Sequence, residues 1–127
     1  MLQKTLLLTL LSAGLVGCAT TSQITNLTPR QMPRNPDGLY LIEADWQSNQ
    51  HSLRKESLHP SVMVDYNFYP MQPGTRLTNR WEALVPVPAD KKYLNYRIKV
   101  DYLYDAVPAP KPDSRLSAPF QLEIIDK

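Results

Sequence analysis

Apolar and polar residues alternate with a period of two over most of the chain after residue 24. The clearest example is YRIKVDYLY (96–104), in which every second residue is apolar or aromatic and Arg97, Lys99 and Asp101 lie between them. Because successive side chains of a strand point to opposite faces of a sheet, this pattern predicts a strand with one buried face. The same alternation occurs in LYLIEADWQ, SVMVDYNFY, RWEALVPV and FQLEII. The chain is therefore expected to form an all-β domain.

Turn-forming residues separate these segments. The sequence Asn-Pro-Asp-Gly at 35–38 suits a type I turn, because proline pre-sets the backbone at the second position and glycine suits the fourth. Pro86 and Pro88 are expected to end a strand, because proline has no N–H to donate to a sheet. Two longer segments, 48–60 and 106–116, are predicted to be loops, and the prolines in the second should stiffen it.

Six or seven such strands predict an antiparallel β-sandwich, whose strands bury one face and expose the other. The spacing resembles that of immunoglobulin-like and fibronectin type III-like domains. This resemblance implies a tyrosine corner, with Tyr93 or Tyr96 in that role. We expect Trp46 to fill the core from one sheet and Trp81 from the other.

The first residues of the chain are typical of a secretion signal. Lys4 precedes an apolar run, TLLLTLLSAGLV, which is long enough for a signal peptide and shorter than the ~20 residues that span a bilayer. The run ends in Leu15-Val16-Gly17-Cys18, which resembles the lipobox of bacterial lipoproteins. That resemblance implies cleavage before Cys18 and acylation of its thiol.

The predicted organisation is thus a signal peptide at 1–17, an acylated cysteine and short tether at 18–23, and a β-sandwich at 24–127. The alternative is an ordinary signal peptide in which Cys18 is accidental. By resemblance to lipoprotein sorting in enterobacteria, Ala19 favours the outer membrane, either at its periplasmic face or at the cell surface. Cys18 is the only cysteine, so no disulfide is expected within the mature chain.

Charge and motif content argue against two function classes. The chain has fourteen Lys and Arg residues and twelve Asp and Glu residues, and the charges are scattered along the sequence. Nucleic-acid binding needs a dense cationic stripe instead. His51 and His59 lie eight residues apart with only Glu56 as a carboxylate between them, and a metal site needs three or four ordered ligands. With no catalytic motif either, we expect no enzyme activity, no metal and no cofactor.

Binding or scaffolding at the cell envelope is the predicted function, with the membrane reached through Cys18 and an envelope protein as partner. The candidate partner-binding residues are Arg54 and Lys55 in the first long loop and Lys111 and Arg115 in the second. Stiff loops lose little entropy on binding, which favours recognition.

Two other functions stay open. The segment 80–102 resembles the strand–turn–strand of starch- and glycogen-binding modules, which implies carbohydrate or cell-wall binding and requires exposed Trp81 and Tyr93. A subunit of a larger envelope assembly would instead expose an apolar patch, for which Met63, Met71 and Tyr69 are the candidates.

Overall fold

The computed structural model describes residues 21–75 and 77–126, which form two stacked β-sheets. One short 3-10 turn, Lys55–Ser57, interrupts the strands. The strands are β1 (Ser22–Asn26), β2 (Gln31–Pro33), β3 (Leu39–Ser48), β4 (His59–Val64), β5 (Asn67–Pro70), β6 (Gln72–Pro73), β7 (Arg80–Pro86), β8 (Tyr93–Tyr104), β9 (Lys111–Leu116) and β10 (Phe120–Ile125).

The strand order is that of an immunoglobulin-like sandwich. One sheet has the order β1-β3-β7-β6, and the other has β2-β10-β8-β4-β5 with β9 also paired to β8. These orders correspond to strands A-B-E-D of one immunoglobulin sheet and to C, F and G of the other. All pairs are antiparallel except β2 with β10. The predicted fold class is confirmed.

The alternating pattern of the sequence produces the core. In β3 and β8, every second side chain is buried between the sheets, and the intervening residues are more exposed. The side chains least accessible to solvent are Ile42, Val62, Val85, Ile98, Val100 and Leu122. Burying an aliphatic side chain of this size contributes about 1.5–3 kcal/mol, so this layer is the main source of stability.

The two tryptophans do not come from opposite sheets, and that prediction is wrong. Trp46 lies on β3 and Trp81 on β7, which are neighbours in one sheet. The aromatic contact between sheets is instead that of Trp46 with Tyr102 of β8, whose ring centroids are 5.9 Å apart. Alternation showed which face each residue occupies, but it carries no information about which sheet a strand joins.

Residues 21–75 and 77–126 contain ten strands, whereas six or seven were predicted. The additional strands are β2, β5, β6 and β9, and each contains a proline and lies at the edge of a sheet or beyond its end. Proline is tolerated at an edge, where its missing N–H faces away from the neighbouring strand. The predicted loop 106–116 is therefore corrected: its second half, Lys111–Leu116, is strand β9.

The run SVMVDYNFY forms a tight hairpin rather than one strand. Asp65 has a positive φ of 53°, and Val64 pairs with Asn67 across the turn. Val62 points into the core as expected, whereas Tyr66 at the turn is 96% exposed and Phe68 is 51% exposed. Aspartate and asparagine on either side of a residue are typical of turns, and alternation alone concealed this turn.

Side-chain hydroxyls complete the hydrogen bonding of β8 where its neighbours break. On one edge, β10 and β9 are separated at Ser117, whose Oγ accepts a hydrogen bond from the Ile98 N–H at 2.8 Å. On the other edge, past the first residue of β4, Ser57 Oγ accepts a hydrogen bond from the Leu103 N–H at 2.8 Å. An unpaired backbone group is costly where it is buried, as at Ile98, so Ser117 removes that cost, whereas the bond of Ser57 with Leu103 is exposed.

The predicted tyrosine corner takes a different form. The Tyr96 hydroxyl accepts a hydrogen bond of 2.8 Å from the side-chain amide of Asn26 on β1, and so links the two sheets. In a tyrosine corner the hydroxyl bonds to the backbone instead. Tyr93 is half-exposed on the outer face of its sheet.

We predict that Ser117→Ala destabilises the domain by about 1–3 kcal/mol, because the Ile98 N–H would lose its partner in a buried position. Urea unfolding followed by tryptophan fluorescence would measure this change. Ser114→Ala on exposed β9 is the matched control and should shift stability by no more than about 0.5 kcal/mol. Equal effects of the two substitutions would contradict the role given to Ser117.

Candidate functional site

The described chain enters the sandwich at one end, which we call the N-terminal end. The Thr21 N–H donates to Asn49 Oδ1 at 2.7 Å, and Ser22 at the start of β1 pairs with Ser48 at the end of β3. The contact of Trp46 with Tyr102 shows that β8 also finishes at this end. The N-terminal end therefore gathers the start of β1, the last residues of β3 and β8, and the loops that follow them.

Three of the four predicted partner-binding residues lie at this end, on two sides of β8. The Arg54 N–H donates to the Leu103 carbonyl, and its guanidinium makes a 2.6 Å salt bridge with Asp105. Lys55 follows in the 3-10 turn, and Lys111 lies across from the end of β8 on its other edge.

Arg115 is placed apart from the other three. It lies four residues further along β9 than Lys111, opposite Val100, and its guanidinium is 3.9 Å from the Asp113 carboxylate. Strand geometry puts Arg115 about 13 Å from Lys111. The four cations thus do not form one compact patch.

The outer edge of β9 is closed to a further strand. The residues whose backbone faces away from β8 include Pro112, which has no N–H, and Ser114, whose N–H already donates to Asp113 Oδ1 at 2.8 Å. Pairing with another chain needs unoccupied donors along an edge. β9 is therefore a poor template for strand addition.

Tyr102 is the most perturbed titratable group at the N-terminal end. Its hydroxyl lies 3.2 Å from Asp113 Oδ2 and 3.5 Å from Gln50 Oε1. Burial raises the pKa of Tyr102 above its ordinary value, the nearby Asp113 carboxylate raises it further, and the Arg115 charge opposes both. A neutral tyrosine that donates to a carboxylate is a structural contact, which here ties β9 to the core.

The two histidines have separate surroundings. His59 Nδ1 lies 2.7 Å from the Ser57 carbonyl oxygen, whereas His51 lines an open cleft at the N-terminal end. Six of the eleven described residues that line this cleft are neutral and polar, and Trp46 lies almost fully buried at its side. Within 21–75 and 77–126, no three or more His, Cys, Asp or Glu residues are grouped as metal ligands would be.

The outer face of the sheet that contains β8 carries an aromatic patch that the sequence pattern did not reveal. Phe68 pairs with Met63, and Met63 pairs with Arg97 in the next strand. The Lys99 ammonium lies 5.6 Å from the centre of the Phe68 ring, within the range of a cation–π contact. With Tyr66 at the adjacent turn, these residues form what we call the aromatic face, defined by Met63, Tyr66, Phe68, Arg97 and Lys99.

The residues proposed for sugar stacking do not share a surface. Trp81 is half-buried and packs against the core, and Tyr93 is half-exposed on the outer face of the other sheet. Of the apolar residues expected in an assembly contact, Met71 is buried and Tyr69 packs against the core. Met63 is partly exposed and belongs to the aromatic face.

Comparison of the chain with protein-family models, curated proteins and solved structures finds no match. In the part of the chain that the structure describes, no helix is long and apolar enough to cross a membrane. Cys18, the predicted lipidation site, lies outside the described residues, as does the predicted signal peptide 1–17.

We predict that Tyr102 ionises late in an alkaline titration, because its pKa is raised by burial and by Asp113. Tyrosinate absorbance should show a component above the ordinary value of 10.0 that disappears in Tyr102→Phe. Tyr66→Phe, which removes the hydroxyl of an exposed tyrosine, is the control and should leave this late component in place.

The raised pKa of Tyr102 also makes the free energy of unfolding depend on pH. Between the unfolded and folded pKa values of Tyr102, the folded state holds one more proton than the unfolded state. The free energy of unfolding therefore falls as pH rises above about 10. A titration in which Tyr102→Phe loses no late component would contradict the assignment.

Proposed function

We propose that this protein is a bacterial lipoprotein, anchored through Cys18, whose β-sandwich binds another protein of the cell envelope and performs no catalysis. The observation that carries the proposal is the position of β1. It starts at Ser22, only four residues after Cys18 and two residues before the predicted domain start at 24. A folded domain that begins so close to a lipobox cysteine is suited to work at the membrane surface.

The outer membrane is the proposed location, on the basis of Ala19 after the lipobox cysteine. Stable anchoring takes more than one acyl chain, because a single chain binds a bilayer only marginally. Processing of Cys18 by the lipoprotein route would supply a diacylglycerol and an additional acyl group on the new amino terminus. The protein would then stay attached without any membrane-spanning segment.

The aromatic face is the surface best suited to a protein partner. Aromatic residues, methionine and arginine are the side chains enriched in protein interfaces, and all three types are present there. Phe68 is half-exposed on a sheet face, which is a rigid platform that loses little entropy on binding. Tyr66 follows Val64 and lies beside residue 95, near the start of β8. Residue 95 is about 30 Å along the strand from Tyr104, so Tyr66 is far from the N-terminal end.

The four cations first considered for partner binding are less suited to the main protein contact. Arg54 is already neutralised by Asp105, and Arg115 lies beside Asp113, so Lys55 and Lys111 have the most available charge. The proposal therefore assigns the main protein contact to the aromatic face.

Carbohydrate binding is the alternative function. The site favoured for it is the cleft at the N-terminal end rather than the surface around Trp81 and Tyr93. The cleft at the N-terminal end is lined by amide side chains, which bind neutral polar groups through paired donors and acceptors. These amides are Gln47, Asn49, Gln50 and Asn79. Glycan capture that is lost in Asn49→Ala and kept in Phe68→Ser would support this alternative over protein binding.

We predict that Cys18→Ala abolishes membrane attachment in bacterial cells. Metabolic labelling with palmitate and fractionation of the cells would measure it, with the unaltered chain as the reference. The change leaves the residues of the sandwich untouched, so circular dichroism of the released protein should show the same β-sheet content. A variant that still floats with membranes and incorporates palmitate would contradict the anchor.

We predict that Phe68→Ser weakens capture of the protein partner from crosslinked cells by roughly 30-fold, since loss of an aromatic anchor costs about 2 kcal/mol. Quantitative mass spectrometry of the captured proteins would measure the loss. Leu84→Ser, which changes an exposed apolar residue on the other sheet, is the matched control and should capture normally. Equal capture by both variants would exclude the aromatic face.

A further inference from the structure

The position of the N-terminal end relative to the membrane follows from the length of the tether, on the premise of the proposed anchor at Cys18. Thr21 is fixed to Asn49 at this end of the sandwich, and Thr21 is the third residue after Cys18. Three residues span at most about 10 Å in any conformation. The Cα atom of Thr21, at the N-terminal end, must therefore lie within about 10 Å of the Cα atom of Cys18, the residue proposed to carry the lipid.

Residues 106–110 of the loop between β8 and β9 form an uncharged apolar tip at this same end. Tyr104 and Lys111 form the last pair of the two strands, and the residues after Asp105 are Ala-Val-Pro-Ala-Pro at 106–110. Val107 is 92% exposed, and 108–110 are exposed as well. Folding alone gives no reason for an exposed valine directly before Pro108.

The tip and the tether have matching lengths. Val107 is three residues beyond Tyr104, just as Cys18 is three residues before Thr21. The tip can therefore extend up to about 10 Å past the strand pair, to the depth at which the lipid is attached. The headgroup layer of one leaflet is roughly 5–7 Å thick, so this reach is sufficient to enter it.

Charges flank the tip in the way that suits a phosphate-rich surface. Lys111 follows the tip directly, and Lys55 lies on the other side of β8. Among residues 21–75 and 77–126, neither lysine makes a salt bridge, whereas the nearby Arg54 is paired with Asp105. Glu56, beside Lys55, is the opposing charge. Long lysine side chains place their ammonium groups at a bilayer surface while their stems cover apolar area.

We propose that the N-terminal end of the sandwich is a membrane-contact surface, with the 106–110 tip in the headgroup layer and Lys55 and Lys111 at lipid phosphates. A lipid surface is favoured over a protein partner because of the space that the tether leaves. A gap of about 10 Å is no wider than one α-helix, so a folded protein does not fit between this end and the bilayer. The aromatic face then stands clear of the membrane on the side of the domain.

Depth-dependent quenching of tryptophan tests this orientation in the full acylated protein. Val107→Trp and Tyr66→Trp place one added indole at each end of β8, over the same background from Trp46 and Trp81. Both proteins are reconstituted into vesicles of phosphatidylethanolamine and phosphatidylglycerol that carry a headgroup nitroxide. We expect the added indole at 107 to be quenched about twofold or more beyond the one at 66. Equal quenching would overturn the proposal.

The role of the lysines is tested in the Val107→Trp background. In the parent protein, quenching should be stronger in vesicles that contain phosphatidylglycerol than in vesicles of phosphatidylcholine alone. The double variant Lys55→Ser, Lys111→Ser should lose this difference. The Lys91→Ser and Lys92→Ser pair, which removes the same charge away from the N-terminal end, is the matched control and should keep it. If both pairs keep it, the assignment of the phosphate contacts is wrong.

Mass spectrometry of the mature protein separates this proposal from the one it rests on. If Cys18 lacks acyl groups, the lipoprotein assignment fails, and its thiol is then coupled to a maleimide lipid before the same quenching measurement. The geometry of attachment is thereby restored. Preferential quenching at 107 would still support membrane contact by this end, and its absence would refute it.

Discussion

The structure depends on hydrogen bonding along β8. This strand is twelve residues long, its inward side chains are buried, and none of its neighbours is as long. Each edge of β8 is therefore covered in sections: β10, Ser117 and β9 on one side, and β4 with the turn around Ser57 on the other. The Ile98 N–H is buried, and leaving it unpaired would be costly, so the Ser117 hydroxyl between β10 and β9 matters most for stability.

Alternation predicted the fold class and the core, because burial on one face of a strand leaves a period of two in the sequence. The edge strands were missed for a specific reason. Proline was expected to end a strand or to lie in a loop, whereas Pro33, Pro70, Pro73 and Pro112 all belong to strands that lie at the margin of a sheet. Local sequence cannot tell an edge from a loop, because the difference depends on which distant segment lies alongside.

The candidate surfaces illustrate the same limit. Arg54 and Lys111 were selected as residues of long loops, but both contact the end of β8. The β8 residue that contacts Arg54 is about fifty positions away in the sequence, and the one opposite Lys111 is seven positions away. The alternation of SVMVDYNFY predicts that Phe68 lies on the same face as Val62. The turn at Asp65 reversed the chain and put its ring on the outer face. Aspartate and asparagine around Tyr66 were the available evidence for that turn.

β9 differs from every other long strand because all six of its residues are exposed and its outer edge is blocked by Pro112 and by Asp113. It pairs with β8 without supplying a core side chain, so its loss would leave the apolar layer covered. Regions of this kind open at a lower free energy than the domain as a whole. Strand β9 is thus a unit that opens locally. Its amide hydrogens should exchange with solvent through small fluctuations, whereas those of β10, on the same edge of β8, should exchange only on global unfolding.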